Sequence, residues 1–282
     1  MESDRGGCTG ENVREGRKGK GSVCKVAFWN IAGAKNKDKD FWKCVEEWDV
    51  IVMCETWLEK RGWNRVRGKL PRGFRWEVQE AKRKNKKGRA RGGMMLGIRN
   101  NIEIGKVIVE GRGEGVIAAE INLEGKRWRI VGVYVNGDME SKIESIREWM
   151  EKKKTGIGGD FNARTGEQGG GAEEELWGEG TGNRKSKDKK INGEGRILLK
   201  EIEEVGWEIF NGGMEGDEEG EWTYTGGRGE SVIDYIIGNE ETKEWIGKME
   251  VGDNIESDHH PVVVEIKVTG GIGRKEGKGG EG

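Results

Sequence analysis

The chain has 282 residues, a net charge of −2 and 36% charged residues mixed finely in sign; the length fits one large α/β domain or two small ones, and the charge total selects no class of partner. No apolar run approaches the roughly 18 residues of a membrane span, and the first residues lack a secretory apolar segment, so no membrane association and an intracellular, soluble protein are expected. Cys8, Cys24, Cys44 and Cys54 contain no CxxC pair, which indicates neither a zinc site nor a disulfide framework but reduced thiols.

Residues 1–22 are polar, Gly-rich and basic, and a disordered leader is expected there. Apolar runs of strand character follow at Val23 to Trp29, Asp49 to Cys54, Gly93 to Ile98, Val116 to Leu123, Trp128 to Val135, Ile157 to Phe161, Val232 to Ile237 and Pro261 to Val268. Between them lie three helical stripes: Phe41, Trp42, Val45 and Trp48; Ile143, Ile146, Trp149 and Met150; and Ile197, Leu198, Ile202 and Val205. Strands outnumber helices and several adjoin directly, which predicts an α/β protein with two mixed sheets packed face to face and helices outside. A Gly-rich tail at 269–282 leaves a folded unit of 23–268.

Two segments stand out by charge. Lys82-Arg83-Lys84-Asn85-Lys86-Lys87-Gly88-Arg89-Ala90-Arg91 is densely basic, and Gly166 to Gly193 is a long polar stretch, acidic first and basic later. Each could meet a phosphate backbone, although such runs also serve as plain solvated surface.

The 51 glycines and 12 tryptophans against two prolines share a purine-rich codon pattern, which reads as coding-strand bias and warns against treating single Trp or Gly residues as motifs. Residues kept against that bias carry more weight. The only two histidines lie in Ser257-Asp258-His259-His260-Pro261, immediately before the last apolar run. An imidazole exchanges a proton near neutrality, and a neighbouring carboxylate can hold a cation. Four further segments place polar residues at strand ends: Trp29-Asn30, Cys54-Glu55-Thr56-Trp57, Gly159-Asp160-Phe161-Asn162 and Ile233-Asp234-Tyr235. Each alone reads better as a turn, cap or surface charge, and only together do they point to a site. An ionised Glu55 at the end of a buried strand needs a cation or strong donors beside it.

Taken in order, these motifs resemble the endonuclease/exonuclease/phosphatase superfamily across essentially the whole folded region. The resemblance implies a DNase I-like four-layer α/β sandwich with a metal-dependent phosphodiesterase site at one edge. By matching position, Glu55 would bind Mg²⁺ or Mn²⁺ with Asn30 and Asp258 nearby, Asp160 and Asn162 would activate the attacking water, His259 would meet the scissile phosphate with Asp234 behind it, and Tyr134 would lie near the phosphate. The basic run would add DNA contacts through Lys82, Arg83, Lys84, Lys86, Lys87 and Arg89. Departures exist: Ala32 stands where many repair members carry an acid, no Pro follows Tyr134, and His260 occupies a variable position.

Within that superfamily, Glu55-Thr56-Trp57-Leu58, Asn192-Gly193-Glu194-Gly195-Arg196 and Ser231-Val232-Ile233-Asp234-Tyr235 are similar to the endonuclease domains of non-LTR retrotransposons and to craniofacial development protein 2-like relatives. That likeness implies nicking of DNA to leave a 3′ hydroxyl, a nuclear location, and the reverse transcriptase of a parent element as a partner, with this chain an independent or fragmentary copy. The alternatives are an apurinic/apyrimidinic repair endonuclease and a catalytically silent DNA- or protein-binding remnant.

Overall fold

The strand β1 (Ser22–Asn30) leads through α1 (Lys39–Val45) into a parallel neighbour, β2 (Val50–Cys54). After α2 (Lys60–Val66) come β3 (Phe74–Gln79), β4 (Met94–Arg99), β5 (Glu103–Ile108), β6 (Val116–Leu123) and β7 (Lys126–Tyr134). The helix α3 (Met139–Met150) returns the chain to β8 (Thr155–Asp160), followed by α4 (Gly193–Glu204) and β9 (Glu208–Ile209). A small hairpin, β10 (Tyr224–Gly226) and β11 (Gly229–Ser231), precedes β12 (Asp234–Gly238), α5 (Glu240–Trp245), β13 (Ile246–Val251) and β14 (Val262–Val268). This computed structural model describes residues 22–83, 88–109, 114–171, 184–227 and 229–268. The expected leader, apart from Ser22, and the tail lie outside these residues.

Two six-stranded mixed sheets result, ordered β13-β14-β1-β2-β4-β3 and β5-β6-β7-β8-β12-β9. Their centres share one plan: a parallel pair, β1 with β2 or β7 with β8, flanked on each side by an antiparallel strand. Period-2 alternation explains why both faces of the central strands are apolar. Val26 and Phe28 of β1 point between the sheets, while Ala27 and Trp29 pack outward under Phe41, Trp42 and Val45 of α1. On the other sheet, Val131, Val133 and Ile157 are covered by Ile143 and Ile146 of α3 and Leu198 and Ile202 of α4. The order is therefore helix, sheet, sheet, helix.

Glycines set how closely the sheets approach. A Cβ on Gly158 would lie 2.7 Å from the Phe28 ring, and one on Gly132 would run into Val52. Asp38, Asp138 and Asn192 cap α1, α3 and α4 through their side chains, each accepting an amide of the first turn.

All eight expected strands are present with shifts of at most two residues at their ends, and the three stripes fall on α1, α3 and α4, except that Trp48 lies beyond α1 and Val205 just beyond α4. The strands β3, β5, β9, β10, β11 and β13 and the short helices α2 and α5 lie outside the sequence expectation. Cys24, Cys44 and Cys54 are buried thiols. Among the described residues no helix is long and apolar enough to cross a membrane. In the later half of the Gly166 to Gly193 segment burial alternates: Arg184, Ser186 and Asp188 are buried, while the exposed Lys185, Lys187 and Lys189 pair with Glu219, Glu221 and Glu167. Arg184 donates to carbonyls of Gln168, Gly166 and Asn211 and so stitches the segment to the core. Residues 172–183 lie outside the described residues.

Candidate active site

The parallel strand pairs of both sheets end at one common edge, and the sequence places a polar residue at each end. Asn30 closes β1 and pairs with Cys54, so Glu55, the next residue, stands beside it. Past the strand ends the two loops stay zipped, with Gly33 N–H donating to the Glu55 carbonyl at 2.8 Å and Ala34 N–H to that of Thr56 at 3.0 Å. In the second sheet, register puts Tyr134 of β7, Asp160 of β8 and Asp234 of β12 in one row. Four non-glycine residues of this edge, Ala32, Glu55, Trp57 and Asn162, hold left-handed backbone with φ of 45–54°. Strain of this kind clusters where surrounding structure fixes a functional group.

Asp160 is the junction between the sheets. Its Oδ2 accepts from Asn30 Nδ2 at 2.8 Å and Asn162 Nδ2 at 3.2 Å, and its Oδ1 accepts the Asn162 amide at 2.9 Å. Asn162 Nδ2 also donates to the Val135 carbonyl at 2.8 Å. Asp160 is only 1% exposed. Burial first, then the neighbouring Asp234 carboxylate, lift its pKa well above the usual carboxylate range, against the pull of His259 and the amide donors.

His259 precedes β14 and is held from four sides. Its Nδ1 lies 2.9 Å from Asp234 Oδ2, its carbonyl accepts Trp29 Nε1–H at 2.8 Å, and its amide donates to Ser257 Oγ at 3.1 Å. The Tyr224 ring meets the imidazole edge-on at 5.0 Å. The Ser257 hydroxyl in turn donates to the Asn30 carbonyl at 2.7 Å, tying the histidine loop to the first motif. Nε2 faces Asp160 Oδ2 across 4.0 Å. Burial disfavours the imidazolium, but Asp234, Asp160 and Asp258 outweigh it and raise its pKa to about 9. Thr223 completes the bracket, because its Oγ1 accepts the amides of both Ile233 and Asp234 at 3.0 Å.

Glu55 is half-buried. One oxygen accepts the Tyr134 phenol and the other accepts Trp57 Nε1–H at 3.1 Å. Burial, and then this bond to Glu55, push the Tyr134 phenol far up, and burial with Asp160, Asp234 and Glu55 does the same to the Cys54 thiol beneath. The site is therefore negative. Asp160, Asp234 and His259 carry ligand atoms within 4.8 Å of one another, and Asp234 Oδ1 is buried without a partner among the described residues.

Of the expected residues, Asn30, Asp160, Asn162, Asp234 and His259 form one hydrogen-bonded unit, with the Glu55–Tyr134 pair one strand position away. Asp258 is exposed at the rim; its carbonyl accepts the Thr225 amide at 2.8 Å. His260 braces the loop, with Nδ1 2.8 Å from the Gly252 carbonyl and Nε2 3.0 Å from Thr225 Oγ1. In the basic run, Arg83 pairs with Glu59 at 2.7 Å, Lys82 with Glu114 at 3.8 Å, and Arg89 lies over the Trp57 ring at 3.7 Å. Lys84, Lys86 and Lys87 lie outside the described residues. Trp29, Thr223, Tyr224 and Ser257 escaped functional notice in the sequence, since each acts by holding another residue. Only the adjacency of Trp29 to Asn30 and of Ser257 to Asp258 pointed to two of them.

Two mixed sheets face to face with helices outside and a polar site at one edge make up a DNase I-like fold. Among solved structures, the chain is similar to the endonuclease domain of TRAS1, a telomere-specific non-LTR retrotransposon, at 19% identity and a TM-score of 0.59, covering 88% of this chain and 99% of that one. It is also similar to the 3′ phosphatase NExo from Neisseria bound to a product DNA hairpin, at 17% identity and TM-score 0.60, covering 86% and 99%. AP endonuclease LMAP from Leishmania major matches at 14% identity and TM-score 0.61, covering 87% and 88%. No family model and no curated protein sequence matches the chain. At these identities the likeness establishes the fold.

Proposed function

We propose that the chain is a divalent-metal-dependent phosphodiesterase that nicks DNA and leaves a 3′ hydroxyl, in the manner of a retrotransposon endonuclease. The observation that carries this reading is the Asp234–His259 pair facing Asp160 across 4.0 Å, with Asn30 clamping Asp160 from the opposite sheet. The charge balance fits a hard cation. Asp160 and Asp234 face a single imidazolium, one Asp234 oxygen is unpartnered among the described residues, and carboxylate and carboxamide oxygens are donors suited to Mg²⁺ or Mn²⁺. Glu55 would hold the ion, with Asn30 and Asp258 nearby, and the ion would neutralise charge on the phosphoryl oxygens.

Hydrolysis needs a water activated on one face of the phosphorus and relief of charge on the other. Asp160, with its raised proton affinity and an orientation fixed by three donors, takes the proton of the attacking water. His259, kept protonated by Asp234, donates from Nε2 to a phosphoryl oxygen. Asp234 fixes the ring through Nδ1 and does not itself act on the substrate. The P–O3′ bond breaks as the P–OH bond forms, and the departing 3′ oxygen takes up a proton from solvent water. Tyr134, bonded to Glu55, holds that carboxylate toward the phosphate.

The fold likeness to an AP endonuclease carries a second reading, incision of abasic duplex. Parallel assays on intact and abasic duplex with Mg²⁺ separate the two: equal cleavage of both supports the retrotransposon-type activity, and cleavage confined to abasic DNA supports the repair type. A folded protein that cuts neither contradicts both and leaves the silent remnant.

A further inference from the structure

Beside the site, between the loop that follows β1 and the helix α2, lies an open cavity of about 520 Å³. Six cationic side chains line it against two acidic ones. One of those acids, Glu59, is held by Arg83 at 2.7 Å. Lys35, Arg61, Arg65 and Arg89 are exposed and make no ion pair within 4.0 Å among the described residues. What sets these four apart is where they stand, since they converge on one concave site in which only Glu59 and Glu256 carry negative charge. An unmatched cluster in a concave site is a place for an anion.

The cavity is also wired to the catalytic edge. Arg89 lies over the Trp57 ring at 3.7 Å, and Trp57 Nε1 donates to Glu55 at 3.1 Å. Gly33 leaves room for the indole, since a Cβ there would fall 2.5 Å from its ring, and φ of +102° suits glycine. Trp57 therefore stands between the cationic pocket and the carboxylate expected to hold the metal.

We propose that this pocket is an anchoring subsite for a backbone phosphate of the DNA strand being cut, with Arg61, Arg65, Lys35 and Arg89 as its ligands, and that Trp57 relays occupancy to Glu55. The proposal rests on the DNA-cleaving reading above. Guanidinium groups suit a phosphodiester because they present planar pairs of donors. One phosphate held in a fixed pocket sets the strand's register on the site, a positioning contact that reads no base.

A walk of methylphosphonate substitutions through a duplex tests it, with one phosphate neutralised at a time. Binding is measured in EDTA and cleavage in Mg²⁺, for the wild type, Arg61→Gln/Arg65→Gln and Arg89→Gln, with circular dichroism to confirm folding. The expected result is one or two positions where neutralisation weakens wild-type binding about tenfold, the size of one charge-assisted contact. At those positions the Arg61→Gln/Arg65→Gln protein should show no further loss, and Arg89→Gln should lower kcat as well as affinity. If the wild type binds every neutralised duplex alike, or if the double variant keeps the full sensitivity, the subsite is refuted. A position-dependent loss of binding without any cleavage would keep the subsite and refute the proposed activity.

Discussion

Asp160 and His259 share a pocket in which each alters the other's proton affinity, and both shifts bear on stability in the same direction. His259 is held protonated up to about 9, so its contribution is complete below its ordinary value near 6.5 and is lost as pH rises toward 9. Asp160 binds its proton more tightly folded than unfolded, so the native state loses ground as pH climbs out of the usual carboxylate range. In metal-free buffer, the stability advantage of the wild type over His259→Gln should therefore shrink between pH 6.5 and 9. Asp160→Asn should gain on the wild type as pH rises. Urea midpoints check both, from the ordinary carboxylate range up to neutrality for Asp160→Asn and from pH 6.5 to 9 for His259→Gln, and a difference independent of pH would contradict the coupling. Divalent metal should raise the wild-type midpoint most at high pH, where Asp160 is ionised.

At the scale of elements, the hairpin of β10 and β11 is small but holds both members of the dyad. Thr223 accepts two buried amides next to Asp234, and Tyr224 packs on the His259 ring. Thr223→Val keeps the shape and removes the acceptor, at a cost of about 1–3 kcal/mol from the two unsatisfied amides. It should also lower kcat with KM little changed, because the loss falls on dyad geometry. Equal kcat at full folding would assign Thr223 to stability alone. Between the sheets, Gly132→Ala should cost about 1–3 kcal/mol by forcing a methyl against Val52, read as a lower melting temperature without a change in the pH profile. The central strands and the three longer apolar stripes were legible because they are apolar on both faces or keep a clear helical period. The edge strands were not: β3 and β5 alternate charged and apolar residues with much exposure, and β10 and β11 consist of three residues each, rich in Gly. The site was legible wherever acid or amide follows a buried strand, as at Asn30, Glu55 and Asp160. Its supports were not, since Thr223 and Tyr224 reach Asp234 and His259 only through pairing across 11 and 35 residues.

For the whole molecule, two sheets with the same central plan bring their strand ends to one edge, and function arises where Asn30 of one sheet meets Asp160 of the other. The near-neutral net charge hides a local asymmetry, a negative catalytic edge beside a cationic cavity. DNA affinity should fall with salt, and the slope should drop by about one for each pocket arginine replaced, as expected when a phosphate contact is lost. The most direct test of the central claim is nicking of supercoiled plasmid by the folded protein with Mg²⁺. Open circles should form with 3′ hydroxyl ends, EDTA should abolish them, and Asp160→Ala or His259→Ala should slow nicking by about 10²-fold or more, the range of a lost acid or base. Plasmid left intact by folded wild-type protein in Mg²⁺ or Mn²⁺, or cut equally well by both variants, would contradict it.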